Sequence, residues 1–125
     1  MIKLVFTIRR REGMTREEFQ RYWRNEHAQL VERHAEVLRI RRYVQTHARD
    51  TDADAALAEA RGSEPRHYDG VAELWWDSVE DLLEASSSAE GQIAASELLE
   101  DERRFIDLSS SPIWLGQENV VVGSP

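Results

Sequence analysis

Apolar residues recur along this chain with two alternating periods, and the order of those periods limits the folds that it can adopt. Residues 2–8, IKLVFTI, alternate between two faces, as the side chains of a strand do. After a turn, the apolar residues recur at helical spacing, and Thr15 with Glu18 forms a capping box at the start. We therefore predict a strand followed by a helix from about Arg16 to about His34.

The rest of the chain repeats these two periods. Residues 37–49 and 68–77 are rich in β-branched and aromatic side chains, which predicts two strands. Ser78 caps a second helix, which SSSAEG interrupts and QIAASELLEDERRFI resumes. Residues 111–122 predict the last strand, with a bulge at Gly116. The side chains of the second helix that we expect to face inward are Ile93, Leu98 or Leu99, and Phe105.

The resulting order is β-α-β-β-α-β, which is typical of an α+β, ferredoxin-like fold. In that fold a four-stranded antiparallel sheet carries both helices on one face. The length of 125 residues fits a single domain over residues 1–125. Adjacent strand residues point to opposite faces, so either Trp75 or Trp76 must lie on the uncovered face, together with Val5. An exposed apolar sheet face is unusual for a monomer, and we predict a homodimer that packs sheet to sheet.

The segment 50–67 interrupts this pattern. Most of its residues are small or charged, Gly62 and Pro65 interrupt it, and it has no apolar stripe. We predict a mobile loop here, with room for one helical turn across ADAALAEA. Long loops in compact domains often act as lids, and we expect this one to cover the mouth of a pocket.

Composition excludes several classes of function. The formal net charge of −8 disfavours nucleic acid, because phosphate backbones are bound by clustered lysine and arginine. We interpret the arginines of IRRR and RIRRY as solvent-facing positions beside strands in preference to an anion site. No apolar run is long enough to span a membrane, and MIKLVFTIRRR does not have the pattern of a signal peptide. The expected location is the cytoplasm.

Several kinds of catalytic site are also disfavoured. The chain has no cysteine, and its six glycines form no phosphate-binding loop. His27 and His34 are two helical turns apart, too far to share a metal ion. The serine runs lack the strand–turn–helix context of a nucleophile. We therefore expect no metal and no cofactor, and any chemistry must use imidazole, phenol and carboxylate groups, which transfer protons.

His27 is the first candidate for such a role. It lies on the apolar stripe of the first helix beside Trp23 and Leu30, so it is either a hydrogen-bonded core residue or part of a site between that helix and the sheet. Glu26 could orient it, although pairing with a neighbouring arginine is the favoured role for Glu26. An imidazole in that position is suited to act as a general acid/base, because its ordinary pKa of about 6.5 is close to neutral pH.

Tyr43 and His47 share one face of the second strand, about 13 Å apart at strand rise. That face is either exposed to solvent or lines a site. If it lines a site, the spacing suits contact with two ends of one substrate molecule better than a single proton relay. The remaining candidates would bind substrate. They are Phe6, Trp23, Trp76 and Asp107, of which Trp23 could also be core and Asp107 could cap a turn.

Three stretches of the sequence resemble the EthD-domain family. They are MTREEFQRYWRNEHAQL in the first helix, YDGVAELWWDS in the third strand, and DERRFIDLSSSPIW before the last strand. The resemblance spans most of the chain outside 50–67. It implies a dimeric α+β barrel and favours a functional His27, because that histidine is part of the family-like motif.

The resemblance implies a small-molecule enzyme without fixing its reaction. The first hypothesis is cofactor-free proton transfer on an aromatic or polyketide-like substrate, by cyclisation, dehydration, decarboxylation or isomerisation. The second is an oxidoreductase of the monooxygenase type, either cofactor-free or haem-dependent. The third is a non-catalytic ligand-binding protein that serves a neighbouring enzyme. For the first, we assign catalytic roles to His27, Tyr43 and His47.

Overall fold

Four strands form one antiparallel sheet in the computed structural model of the protein, which describes residues 1–124. The sheet order is β2-β3-β1-β4, and every neighbouring pair is antiparallel. This is the ferredoxin-like order, so the fold class predicted from the sequence is confirmed. The strands are β1 (Ile2–Ile8), β2 (Arg42–His47), β3 (Gly70–Trp76) and β4 (Ile113–Gly116).

The first long helix occupies residues 16–34 and begins at the predicted capping box. Thr15 accepts a hydrogen bond from the backbone of Glu18, and the Glu18 side chain accepts one from the backbone of Thr15. The helix is made of three consecutive segments: α1 (Arg16–Arg21), a π-helical turn (Tyr22–His27) and α2 (Ala28–His34). The π-helical turn adds a residue to one turn, and both Trp23 and His27 within it are buried.

The second helical unit consists of α4 (Val79–Ser87) and α5 (Ala89–Glu102). Ser88 ends α4 and caps α5, where the sequence predicts an interruption. A 3-10 turn, Leu108–Ser110, then leads to β4. Within residues 1–124, no helix is long and apolar enough to cross a membrane.

The core lies between the helices and one face of the sheet. Phe19 and Trp23 of the first helix pack against Phe6 and Ile8 of β1, and Phe105 closes the cluster from the end of α5. Trp76 is buried on the same side, where its indole N–H donates to the carbonyl of Leu38. Burial of these large side chains is the main stabilising contribution, at about 1.5–3 kcal/mol for each.

The other face of the sheet has no helix over it. Trp75 and Trp76 point to opposite faces, as predicted, and Trp75 lies on this open face. Its ring is nevertheless covered, because Lys3 and Arg42 stack on it and Glu118 accepts a hydrogen bond from its indole N–H. Trp114, on the same face, is 50% exposed.

The segment 50–67 is not the loop that the sequence analysis predicts. It contains α3 (Asp52–Arg61), a ten-residue helix with its own capping box at Thr51 and Asp54. Gly62 ends it in the left-handed conformation, with φ of 60°, which favours glycine. None of its residues is buried, so the helix propensity of its alanines and its two caps account for its formation. Because it has no apolar stripe, the hydrophobic pattern does not predict it.

Two strand boundaries and one helix face also differ from the prediction. β2 begins at Arg42, because the backbone turns at Arg39 with φ of 58°. β4 ends at Gly116, since of the predicted strand 111–122 only residues 113–116 pair with β1, and the predicted extension to residue 122 is wrong. Ile93 and Leu99 of α5 are exposed, whereas Ala94 and Asp101 are buried. Phe105 is buried and Leu98 is half-buried, as expected, so the prediction is wrong for Ile93, where the neighbouring Ala94 faces inward instead.

Gly70 allows the first helix to pack closely on the sheet. A Cβ atom at this position would lie 2.5 Å from the Trp23 ring and 2.6 Å from the backbone oxygen of Thr46. We expect Gly70→Ala to lower the free energy of unfolding by about 1–3 kcal/mol, the usual cost of overpacking. Thermal denaturation followed by circular dichroism measures this, and an unchanged melting temperature would contradict the packing described here.

Candidate functional site

His27 forms a buried pair with an acidic residue of the opposite helix. Its Nδ1 lies 2.7 Å from Oδ2 of Asp101, and each residue is only 5% exposed. The ring of His27 also packs against Phe105, with 4.9 Å between ring centroids. Both contacts are to α5 or to Phe105 just after it. They place His27 against the second helical unit as a hydrogen-bonded, buried residue, which is one of the two predicted alternatives, and its role as a general acid/base stays a prediction.

Asp101 is held in place by hydrogen bonds on both oxygens. Its Oδ1 accepts bonds from the Tyr22 hydroxyl at 2.5 Å and from Arg104 at 2.9 Å, while Oδ2 receives His27. Burial alone would raise the pKa of Asp101, but the bonds from Tyr22, His27 and Arg104 outweigh it and hold this pKa below 3.8. Asp101 is therefore ionised at neutral pH and fixes the orientation of the imidazole.

His27 is neutral at the same pH. Burial lowers its pKa below 6.5, and the hydrogen bond and charge of Asp101 offset this only in part. A neutral imidazole carries its proton on the nitrogen that faces a carboxylate, and in His27 that nitrogen is Nδ1, which donates a hydrogen bond to Asp101. The other ring nitrogen, Nε2, makes no hydrogen bond within residues 1–124 and keeps a free lone pair. The pair thus has the arrangement of a base oriented by an acid.

Tyr43 and His47 lie on the helix-facing side of β2 and are joined through Gln45. The Gln45 amide N–H₂ donates to the Tyr43 hydroxyl at 2.9 Å and to the backbone oxygen of Trp23. Its carbonyl oxygen lies 2.8 Å from Nε2 of His47. The two residues are therefore parts of one hydrogen-bonded row, because the side chains lean along the strand and Gln45 spans the gap. Contact of Tyr43 and His47 with two ends of a substrate stays a prediction.

The environment of Tyr43 and His47 favours the neutral form of each side chain. Burial lowers the pKa of His47, with the charge of Arg24 adding to the effect, and the His47 ring lies 4.4 Å from Trp23. Nδ1 of His47 is buried and has no hydrogen-bond partner in the part of the chain that the structure describes. Burial raises the pKa of Tyr43, so its hydroxyl keeps its proton.

Glu102 is a further titratable group near these residues. Burial, with a smaller effect from the charge of Asp101, raises its pKa to about 7. Its charge in turn helps to raise the pKa of Tyr43. A carboxyl group with this pKa exchanges its proton near neutral pH, which is the property of a general acid or base.

Two surface clefts each border one tyrosine of this group, and neither is lined by His27 or Asp101. One, of about 340 Å³, is lined by Tyr22, the residue that donates to Asp101. The other, of about 330 Å³, is lined by Tyr43 and by Ala28, which follows His27 in the chain. Their volumes are at the lower end of the range for small-molecule sites.

Three of the predicted substrate-binding residues do not join this site. Phe6 and Trp76 are core residues, packed between sheet and helices. Asp107 precedes the 3-10 turn, where its carboxylate accepts a hydrogen bond from Ser109. Trp23, the fourth, touches the site through its backbone oxygen and its ring, although it too is a core residue. Within residues 1–124, no three metal-ligating side chains lie together.

Four residues of this site were not predicted from the sequence: Tyr22, Gln45, Asp101 and Glu102. For Asp101 a signal was present. Ala94, Leu98, Asp101 and Phe105 recur at helical spacing, and an acidic residue on such a stripe needs a buried partner. Gln45 had the weaker signal of lying between Tyr43 and His47 on one strand face. Glu102 has no comparable signal, since its pKa depends on burial.

Fold and site together define a ferredoxin-like α+β domain with a His–Asp pair buried between its first helix and α5. The EthD domain matches residues 11–109 of the chain. This covers more than half of the sequence, and the chain belongs to the EthD family. No curated protein sequence matches it.

Solved structures show the same fold at low sequence identity. An EthD family protein from Bacillus halodurans is 18% identical with a TM-score of 0.64, covering 95% of this chain and 99% of that one. A dimeric, ferredoxin-like protein of unknown function from Bacteroides fragilis is 11% identical with a TM-score of 0.59, covering 94% and 95%. SnoaB, a cofactor-independent oxygenase from Streptomyces nogalater, is 14% identical with a TM-score of 0.56, covering 98% and 97%.

Proposed function

We propose that this protein is a small-molecule enzyme that transfers protons without a cofactor, acting on an aromatic or polyketide-like substrate. The observation that carries the proposal is the buried pair of His27 and Asp101, 2.7 Å apart, with Nε2 of His27 left free. Perturbed titratable groups with a defined charge partner are frequent in active sites. Membership of the EthD family supports the proposal, and the similarity to a cofactor-independent oxygenase agrees with chemistry that needs no bound group.

In this proposal Nε2 of neutral His27 removes a proton from an acidic C–H or O–H group of the substrate. The imidazolium that forms is stabilised by the ionised carboxylate of Asp101, and it returns the proton to another atom of the same molecule. Net proton transfer of this kind underlies cyclisation, dehydration and isomerisation. The cleft bordered by Tyr43 and by Ala28, the chain neighbour of His27, is the candidate entrance for the substrate in this proposal. Tyr43 with His47 contributes to binding or to a second proton step.

A proton-exchange assay tests this proposal without knowledge of the natural substrate. β-Tetralone, an aromatic ketone with acidic C–H groups, is incubated with the protein in D₂O, and loss of the C–H signal is followed by proton NMR. We expect the wild-type protein to accelerate deuterium incorporation with no cofactor added. Exchange that is no faster with wild-type protein than with the His27→Gln variant would contradict the proposal.

A second candidate is a cofactor-independent oxygenase, and the similarity to SnoaB is the observation that favours it. In that reaction His27 would deprotonate a phenolic substrate, and the resulting anion would itself supply the electrons to molecular oxygen. Oxygen uptake with a dihydroxynaphthalene, measured with an oxygen electrode, separates the two candidates. Uptake that requires His27 supports the oxygenase, whereas exchange without uptake supports the first proposal.

We also propose that the enzyme is a homodimer that packs through the open face of the sheet. Trp114 is 50% exposed there, beside Val5, and the similar protein from Bacteroides fragilis is described as dimeric. We expect sedimentation at micromolar concentration to give the mass of two chains, and Trp114→Asp to give a monomer. Leu83→Asp, the same kind of change on an exposed residue of α4, is the control. A wild-type monomer contradicts this proposal.

A further inference from the structure

A second cleft region lies away from His27, at the end of the sheet where β1 leaves and β3 begins. Its volume is about 550 Å³, compared with about 340 and 330 Å³ for the clefts at Tyr22 and Tyr43. It borders Arg16 at the start of the first helix. Arg16 is about 17 Å from His27 along the helix axis, so the cleft is separate from the proposed active site.

Positive charge is concentrated in this cleft. Its lining includes five arginines against three carboxylates, a surplus of two positive charges in a chain whose formal net charge is −8. The arginines are Arg9, Arg10, Arg11, Arg16 and Arg66. The sequence favours solvent-facing positions for IRRR, but the fold brings these residues together with Arg16 and Arg66, which are distant in the chain.

A buried carboxylate holds two of these guanidinium groups in place. Asp69 is 4% exposed, and its Oδ2 accepts a hydrogen bond from the backbone of Arg10. Its Oδ1 accepts bonds from the Arg10 side chain at 2.6 Å and from Nε of Arg16 at 3.3 Å. Asp69 therefore orders the wall of the cleft, and both of its oxygens are already in use.

All of these arginines except Arg10 have capacity for a ligand. Arg9 and Arg11 form no ion pair within residues 1–124. Arg16 and Arg66 both donate to Asp50, a carboxylate that is 73% exposed. Asp50 thus shows that a carboxylate fits between these two guanidinium groups, and it is exposed enough for a ligand to displace it.

We propose that this cleft binds a small organic anion, with a carboxylate or phosphate group held by Arg11, Arg16 and Arg66. The guanidinium fork pairs with both kinds of group through two parallel hydrogen bonds, which accounts for the choice of arginine over lysine. The positive surplus of the lining matches an anion of one or two charges. This site is independent of the proposed proton-transfer activity.

The test uses two probes, phenyl phosphate and benzoate, which share a ring and differ in the anion. Each is titrated at millimolar concentration into the full-length protein, and backbone amide shifts are followed by two-dimensional NMR. We expect saturable shifts at residues 9–16 and 66–69 with at least one probe, and the tighter probe identifies the preferred anion. Absence of saturable shifts there with both probes overturns the proposal.

Arginine variants separate a defined site from general surface charge. We expect Arg66→Gln and Arg11→Gln each to weaken binding of the tighter probe by about tenfold or more, since hydrogen bonds between charged groups are the strong ones. Arg33→Gln removes an exposed arginine of α2 that does not line the cleft, and we expect it to leave binding unchanged. An equal loss with Arg33→Gln also overturns the proposal. Thermal denaturation of each variant verifies that the fold is retained.

Discussion

Replacement of His27 by glutamine is expected to lower the rate of β-tetralone proton exchange by about 10²–10⁴-fold, the usual contribution of a positioned proton-transfer group. Glutamine keeps a similar size and can still hydrogen bond to Asp101, but it has no basic nitrogen. His34→Gln is the matched control, because His34 is on the same helix and binds only the exposed Glu97. We expect that control to retain the wild-type rate.

The pH dependence gives a second readout for His27. Its pKa is below 6.5, and the base is its neutral form, so the rate is constant above that pKa and falls as pH decreases through it. The same shift affects stability. In the unfolded chain His27 takes up a proton at a higher pH than it does in the folded protein, so His27 destabilises the fold progressively below about pH 6.5.

A His27→Gln variant with full exchange activity would show that the histidine is only a core residue.

Replacement of Asp101 by asparagine is expected to lower the exchange rate by about 10²-fold or more, although Asp101 does not touch the substrate. Its amide can donate to Nδ1 of His27, which moves the ring proton to Nε2 and removes the free lone pair. Loss of the carboxylate also removes an interaction that raises the pKa of His27, so the acid limb of the pH–rate profile moves to lower pH. A purely structural role for Asp101 does not predict that movement.

Stability changes as well, and a control separates the two effects. Three hydrogen bonds converge on the charged Asp101, from Tyr22, His27 and Arg104, and we expect Asp101→Asn to cost about 1–3 kcal/mol in the free energy of unfolding. Asp77→Asn makes the same change at an exposed residue and is expected to leave rate and stability unchanged. Wild-type activity and an unshifted pH profile in Asp101→Asn would contradict the positioning role.

The order of strands and helices was predictable because it depends on local signals. The alternation in residues 2–8, the capping box at Thr15 and the cap at Ser78 each act within a few residues. Helix α3 shows the limit of the hydrophobic pattern. It buries nothing, so only the capping pair of Thr51 and Asp54 marks its start.

The site was predictable only in part, because its contacts join residues far apart in the sequence. His27 could be placed on a buried helix face, but its partner Asp101 is 74 positions away. Asp101 lies on the same stripe as Leu98 and Phe105, but only the apolar members of that stripe were predicted to face inward. Tyr43 and His47 lie in one strand, as predicted, but their positions in the sequence do not reveal that the Gln45 side chain joins them.

The central claim is that burial keeps His27 neutral and that Asp101 fixes the ring proton on Nδ1, which leaves the Nε2 lone pair free. Nitrogen-15 NMR of the imidazole rings, in uniformly labelled wild-type protein at neutral pH, tests it most directly because the chemical shifts of Nδ1 and Nε2 report where the proton lies. The His27→Gln variant assigns the signals. We predict a protonated Nδ1 and an unprotonated Nε2 for His27. A proton on Nε2, or on both nitrogens, would contradict the account.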